Sequence, residues 1–455
     1  MDNRKKTIAA IDIGTTKIAT IAASENNGKF EVLGFGTAQS TGIRHGVVLN
    51  IDETVKAITA SLNQLGEKYD ADFGEVYVGI AGQYVKTTDN TCRVLVNGTV
   101  TKRHLIELSD MAMNVVRPGY ETIDAILLSY SINGKEVENP IGLQCEYLYG
   151  NFHVITGQTT MVNNIKKCVT HAGLDIKSVF LEPLASAEAV LTEDEKQRGV
   201  AMIDIGGGTT DLAVFKDGEV IHTAVIPIGG ATITGDIRDK FGITYEQAEN
   251  MKCLYGSAVH VSGADVSIEV KTARVNNNIY VSRNEMSEVI QARMEEILNA
   301  VKFQIETVYP DMLPAGIVMT GGGSLAANLN QLASFILKNN IRIAYPLSKI
   351  EGEFAESLKM PQYSTVVGLI LKGSSFEKGI IQRDSIMTQP KPAPEPAPEP
   401  APQPVPEPKP EPKPEPKPEP TYEPLDNQVD SKSEKPKKNI KNLFKSLMDK
   451  LEDDE

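Results

Sequence analysis

The chain has 455 residues, 41% hydrophobic and 23% charged, with a formal net charge of −14, four cysteines, no tryptophan and 26 prolines. No apolar run reaches the roughly 18 residues a membrane-spanning helix needs, and the acidic balance argues against general affinity for nucleic acid. Met1–Lys6 leads into no uninterrupted apolar core with a cleavage site, so a secretory signal is not expected.

Of the 26 prolines, 18 fall between Pro390 and Pro436. Each removes a backbone donor and fixes φ, which no sheet or helix interior absorbs at that density. The folded body therefore ends near residue 385, and a tail follows. Cys92, Cys145, Cys168 and Cys253 form no Cys-x-x-Cys pair and have no histidine at metal-ligand spacing, so buried reduced thiols are expected.

In chain order, the first predicted element is a β-hairpin, with apolar runs flanking the turn Asp12-Ile-Gly14-Thr15-Thr16-Lys17. Apolar residues at three- and four-residue intervals then predict helices at Asp52–Leu65, Gln158–Ala172 and Glu285–Thr307. Between the last two, Val200–Phe215 repeats the hairpin with Asp204-Ile-Gly206-Gly207-Gly208-Thr209-Thr210. A second Ile-Asp-Ile-Gly followed by Thr-Thr, 192 residues after the first, points to two related halves. The strand Ala315–Thr320 runs into a third turn, Gly321-Gly322-Gly323-Ser324, ahead of a helical stretch. Mixed strands and helices of this kind give an α/β fold.

Glycine turns let backbone N–H groups approach an anion, and threonine hydroxyls add donors. An aspartate beside a phosphate makes sense when a cation sits between them. Mg²⁺ keeps its waters and takes one or two carboxylates, often through those waters, so Asp12 and Asp204 facing each other would hold a hydrated ion. Lys17 would add a point charge, and the third turn offers backbone against which a nucleotide could lie. An ordinary tight turn is the alternative for any of these taken singly. There is no GxxxxGK[ST] phosphate loop and no GxGxxG dinucleotide turn.

Three such turns resemble the phosphate-1, phosphate-2 and adenosine loops of the actin, sugar-kinase and heat-shock chaperone superfamily. Within it, Pro183–Glu195, Ile203–Phe215, His222–Gly230 and Leu313–Gly323 are similar to the FtsA family of bacterial cell-division proteins. The resemblance runs from about residue 6 to 372 and recurs at the C-terminus. It implies an actin-like duplicated two-domain fold with an inserted small α+β subdomain, a disordered Pro-rich linker and a C-terminal amphipathic helix. The implied boundaries are 1–82 and 161–198 for the first actin-like subdomain, 83–160 for the insertion, and 199–385 for the second domain with the closing segment of the first. The linker is 386–436, and 437–455 is the helix with an acidic end.

The implied cofactors are ATP and Mg²⁺. Gly14, Thr15, Thr16 and Lys17 match the first phosphate loop, Gly206, Gly207, Gly208, Thr209 and Thr210 the second, and Gly321, Gly322, Gly323 and Ser324 the adenosine loop. Glu249 and Lys252 resemble the residues that meet ribose and base, with a solvated helix face as the alternative. Implied partners are the tubulin-like ring protein FtsZ near Ser282–Tyr309, further copies of the chain, later division proteins at residues 83–160, and the inner face of the membrane at the division site. Turnover is expected to be slow at most. Glu182 lies in a segment that approaches the site in the family, but a capping or surface role is expected for it. A pilus-assembly actin-like protein or a small-molecule kinase of the same superfamily are the competing readings.

Alternating proline over 390–420 favours polyproline II, a semi-rigid spacer reaching on the order of 90 Å. Beyond it, Ile440, Leu443, Phe444, Leu447, Met448 and Leu451 form one helical stripe, with lysines elsewhere. At about 22 Å that helix is too short to span a bilayer but can lie in its interface. A helix packed back on the body is the alternative. The end, Glu452-Asp-Asp-Glu455, weakens attraction to anionic lipid, so insertion of Phe444 and its neighbours would carry the affinity.

Overall fold

The computed structural model describes residues 7–26, 28–66, 74–260, 265–270, 278–346 and 349–387. The proline run and the stripe from Ile440 to Leu451 lie outside the described residues.

Two sheets share one strand order. In the first, Lys29–Gln39, Lys17–Asn26 and Thr7–Ile13 run antiparallel, and Glu75–Ile80 and Asp175–Leu181 continue it in parallel. In the second, Glu219–Ile226, Thr210–Lys216 and Val200–Ile205 are antiparallel, followed in parallel by Ile317–Thr320 and Ile341–Ile343. The central strands are near-continuous apolar runs because both faces are covered: all of Val200–Ile205, and Thr7–Ile13 beyond its first residue, are buried. The expected duplicated α/β architecture is the one observed.

The register corrects one detail. Ile13 pairs with Ile18, and Ile205 with Thr210. Lys17 therefore corresponds to Thr209 and Ala19 to Asp211, so the two Thr-Thr pairs that advertise the repeat are not equivalent. The expected helices appear at Ile51–Gly66, Thr159–His171 and Arg283–Val308, each within a residue or two of its sequence boundaries. The third turn follows its strand and precedes a helix as expected. It enters a single 3₁₀ turn, Gly322–Leu325, and the α-helix begins only at Leu329.

Between the sheets' hairpins, Val85–Thr99, Gln144–Gln158, Tyr120–Ile132 and Lys135–Val137 build a separate four-stranded antiparallel sheet. The helix Lys102–Met113 covers it through Leu108 and Ala112. This unit touches the second half where His153 Nε2 and Thr223 Oγ1 lie 3.4 Å apart.

Two helices bind the halves together. One core cluster takes in Ala10 and Ile21 of the first sheet, Met202 and Val318 of the second, and the helices Glu182–Val190 and Ser364–Met387. Those helices cross so closely that a Cβ on Gly368 would overlap the Ala185 carbonyl. The last strand, Ile350–Glu351, and the last helix return the chain to the first half, where Tyr77 Oη donates to Glu377 at 3.2 Å.

Candidate functional site

All three glycine turns open on one cleft of about 480 Å³. The antiparallel strands carry Asp12 and Asp204 to the ends of their apolar runs, where each is less than one-tenth exposed. The two first turns face each other and interlock. A Cβ on Gly207 would overlap the Thr16 side chain, and one on Gly208 would overlap Thr15. A strap from the first half, the hairpin Ile43–Val48, closes over the contact. At its tip His45 sits at φ 47° and donates from Nδ1 to the Gly208 carbonyl at 3.2 Å, while the Gly46 amide donates to Thr15 Oγ1 at 3.0 Å. Behind the second turn, the amides of Gly230 and Ala231 donate to the Gly206 and Gly207 carbonyls at 2.9 and 2.7 Å. This ties the turn to the start of the helix Gly230–Phe241.

The cleft brings together Asp12, Gly14, Thr15, Thr16 and Lys17 of the first turn with Asp204 and Gly206–Thr209 of the second. Gly321, Gly322 and Gly323 line it from the third. Glu249 and Lys252 also line it, from the helix Tyr245–Tyr255, as an ion pair of 2.6 Å rather than a solvated face. Lys252 reaches on to the Gly230 carbonyl at 3.0 Å and Thr234 Oγ1 at 2.8 Å. Two expected residues do not reach the cleft. Thr210 begins the buried strand and donates to the Ile228 carbonyl at 2.8 Å. Ser324 is buried in the 3₁₀ turn and donates to the Gly321 carbonyl at 2.7 Å. Both hydroxyls serve the fold of their own turn.

Two acids that the sequence reading did not assign complete the site. Asp211 pairs across the hairpin with Asp204 and is 4% exposed, with Oδ1 buried and without a hydrogen-bond partner. Glu182, expected on the surface or as a cap, opens its helix from inside the cleft. For Asp211 the signal was present, an acid beside the buried apolar run Leu212–Phe215; Glu182 follows the apolar Val179–Leu181 at the end of a mixed strand. The thiol expectation is corrected as well, because Cys253 is exposed and lines the cleft while Cys92 and Cys168 are buried.

Three buried carboxylates, Asp12, Asp204 and Asp211, with the half-buried Glu182 beside them, cannot all ionise freely. Burial pushes Asp12 up to about 6, against the pull of Lys17, and the Asp204 charge adds to the rise. Burial also raises Asp204, opposed by hydrogen bonds from Ser186 and Thr365 and by Lys17. Asp211 and Glu182 stand well above the ordinary carboxylate range, through burial first and then repulsion from the other acids. The nearest compensating charge is Lys17, whose Nζ is 4.0 Å from Asp12 Oδ2. Such a site favours a further cation. Among the described residues no three His, Cys, Asp or Glu side chains could hold an ion between them. A hydrated divalent ion reached through water would suit this donor set, and the orphaned Asp211 Oδ1 could accept from one of its waters.

Comparison with known proteins follows the same lines. Residues 201–368 match the family model for "Cell division protein FtsA". Residues 10–257 match that for "Type IV pilus assembly protein PilM". FtsA of Neisseria meningitidis is 34% identical over 398 residues, covering 86% of this chain and 96% of the relative. FtsA of Pseudomonas aeruginosa is 35% identical over 374 residues, covering 81% and 89%. Among solved structures, the PilM-PilN type IV pilus biogenesis complex superposes with a TM-score of 0.58 at 16% identity, covering 80% of this chain and 98% of that one. At that identity the PilM likeness is one of fold, whereas a third of positions shared over more than four-fifths of the chain is a likeness of family. The chain belongs to the FtsA family of cell-division proteins.

Proposed function

We propose that the chain binds Mg·ATP in the three-turn cleft, self-associates, and holds the tubulin-like FtsZ ring against the cytoplasmic face of the membrane through a C-terminal amphipathic helix. The observation that carries the nucleotide part is the convergence of three glycine turns on three buried aspartates, Glu182 and Lys17. The turns' amides and the Thr15 and Thr16 hydroxyls supply donors for phosphate oxygens, and Lys17 supplies charge. Asp12 and Asp204 hold waters of a hydrated Mg²⁺, whose charge relieves their mutual repulsion. Glu249 and Lys252 meet the ribose, and the apolar wall of Ile290 and Met294 suits a base. Glu182 lines the cleft and is the carboxylate placed to take a proton from an attacking water once the cation lowers its charge repulsion. Turnover is slow, and binding acts as a conformational switch.

Family membership supports the rest of the reading: FtsZ contacted near the helix Arg283–Val308, and self-association and later division proteins met by residues 83–160. The proline run sets the distance between body and membrane, and the stripe from Ile440 to Leu451 lies on lipid.

Titration calorimetry with Mg·ATP tests the cleft. Asp204→Ala should weaken binding by at least about tenfold, and unchanged affinity removes Asp204 from its role. Co-sedimentation with liposomes tests the anchor, comparing the intact chain with one ending at Pro424; equal binding by both sinks it. The match of residues 10–257 to the pilus-assembly family favours a second reading, in which the same body serves a pilus. Retention of FtsZ by the immobilised full chain separates the two.

A further inference from the structure

One short segment touches all three turns of the cleft. Pro361–Tyr363 is a 3₁₀ turn, and Ser364 begins the 24-residue C-terminal helix. At the first turn, Lys17 Nζ donates to the Gln362 carbonyl and lies 5.0 Å from the centre of the Tyr363 ring. At the second, Thr365 Oγ1 donates to Asp204 Oδ2 at 3.3 Å. The same hydroxyl is 3.0 Å from Ser186 Oγ, itself a 2.7 Å donor to that carboxylate oxygen. At the third, the Gly321 amide and the Thr320 hydroxyl each donate to the Pro361 carbonyl at 3.3 Å, and Thr320 and Ser364 share a 2.6 Å hydrogen bond. Nothing in the motifs of the three turns assigns Gln362, Tyr363 or Thr365 a part.

These contacts fall on the two charged groups that must meet incoming charge. An ammonium has three donors, and Lys17 spends one on Gln362 while it stands beside Asp12. Two hydroxyls on Asp204 Oδ2 occupy both acceptor positions of that oxygen and so fix the orientation of the carboxylate. The segment is also mechanically stiff on its far side. Gly368, one turn into the helix, lies against the Ala185 carbonyl with no room for a methyl group, and Ala185 belongs to the helix that starts at Glu182. Packed contacts of this kind shift between discrete arrangements rather than deform smoothly.

We propose that Gln362–Thr365 is the element that reads nucleotide occupancy: Lys17 and Asp204 are shared between the bound phosphates with their cation and the first turn of the C-terminal helix, so the two sites are thermodynamically coupled. The proposal rests on the reading of the cleft as a Mg·ATP site. Thr365 is a positioning residue, acting through Asp204, and Tyr363 acts through Lys17. The helix ends at Met387, three residues before the first proline of the tail. By linkage the coupling is reciprocal, so a constraint on the helix alters nucleotide affinity by the same factor.

Hydrogen exchange of the full-length chain, with and without saturating Mg·ATP, tests this. Exchange of amides 363–371 should slow several-fold when nucleotide binds. Thr365→Val should weaken Mg·ATP about 3- to 10-fold, the loss of one hydrogen bond, and remove most of that slowing, whereas Thr365→Ser restores both. Tyr363→Leu, which removes the ring beside Lys17 without touching Asp204, should likewise remove most of the slowing and serves if Thr365→Val does not fold. Binding of Mg·ATP with no change in exchange at 363–371 overturns the coupling and leaves the nucleotide site standing. So does retention of both affinity and slowing in Thr365→Val. Absence of any Mg·ATP binding defeats the reading of the cleft itself, and the coupling with it.

Discussion

The first turn carries Thr15, Thr16 and Lys17 where the second carries Gly207, Gly208 and Thr209, and Ala19 stands where Asp211 does. Thr15 packs on Gly208 and Thr16 on Gly207, a crosswise pair of contacts between equivalent positions. Two threonine turns would collide there, and two glycine turns would leave a gap. The duplicated halves therefore had to diverge at these positions in order to close on each other. The charges diverge with them: the first half holds the ammonium, and the second holds the extra acid.

That comparison can be broken in four places, taken from the largest expected effect. The first concerns the matched aspartates. Burial raises the Asp12 carboxyl to about 6 in the folded chain from 3.8, so the folded state holds its proton the more tightly. Stability present below about pH 4 is then lost as pH rises through about 6, on the order of 3 kcal/mol for this group. Thermal melts without nucleotide should show Asp12→Asn gaining on the wild-type chain between pH 4 and 7. Asp204→Asn should gain less, because Ser186 and Thr365 already stabilise the Asp204 charge. Equal pH dependence in the two variants would make the aspartates equivalent after all.

The second concerns Lys17 and Thr209. Lys17→Met should weaken Mg·ATP by about 10- to 100-fold, as the loss of a charged hydrogen bond does, and Thr209→Ala by less than about fivefold. Similar losses in calorimetric titrations would erase the asymmetry of charge. The third concerns the interlock. Gly207→Ala should cost about 1–3 kcal/mol of stability by overpacking, and adding Thr16→Ala in the same chain should recover much of it. A double variant no more stable than Gly207→Ala would show that the two turns do not press on each other. The smallest effect is chemical. Maleimide should label the exposed Cys253 of the second half in the folded chain, at a rate held down by desolvation of its thiol and by Glu249 beside it, and labelling should slow several-fold more with Mg·ATP bound. Cys168 of the first half, buried and with its thiol pushed up to about 11, should stay unlabelled until unfolding.

Much of the architecture was legible in the sequence because it rests on local patterns. Apolar runs broken by Gly-rich turns gave the two hairpins, and three- and four-residue spacing gave the helices at Ile51–Gly66 and Thr159–His171. The errors arose where identical letters occupy different register positions. Thr15-Thr16 and Thr209-Thr210 look like one motif, yet strand pairing sets Thr209 against Lys17 and sends Thr210 into the core. Asp211 was legible in principle, since an acid in the strand Thr210–Lys216 contradicts the apolar run around it. Gln362, Tyr363 and Thr365 were not. Their part depends on a return of the chain to the cleft from 345 residues beyond Lys17, which no local pattern encodes.

The inserted sheet is continuous with the first half, because its long strand Gln144–Gln158 runs straight into the helix Thr159–His171. Yet His153 on that strand, held by Asp89 at 2.8 Å, also meets Thr223 at the edge of the second sheet. The insertion is therefore rooted in one half and rests on the other.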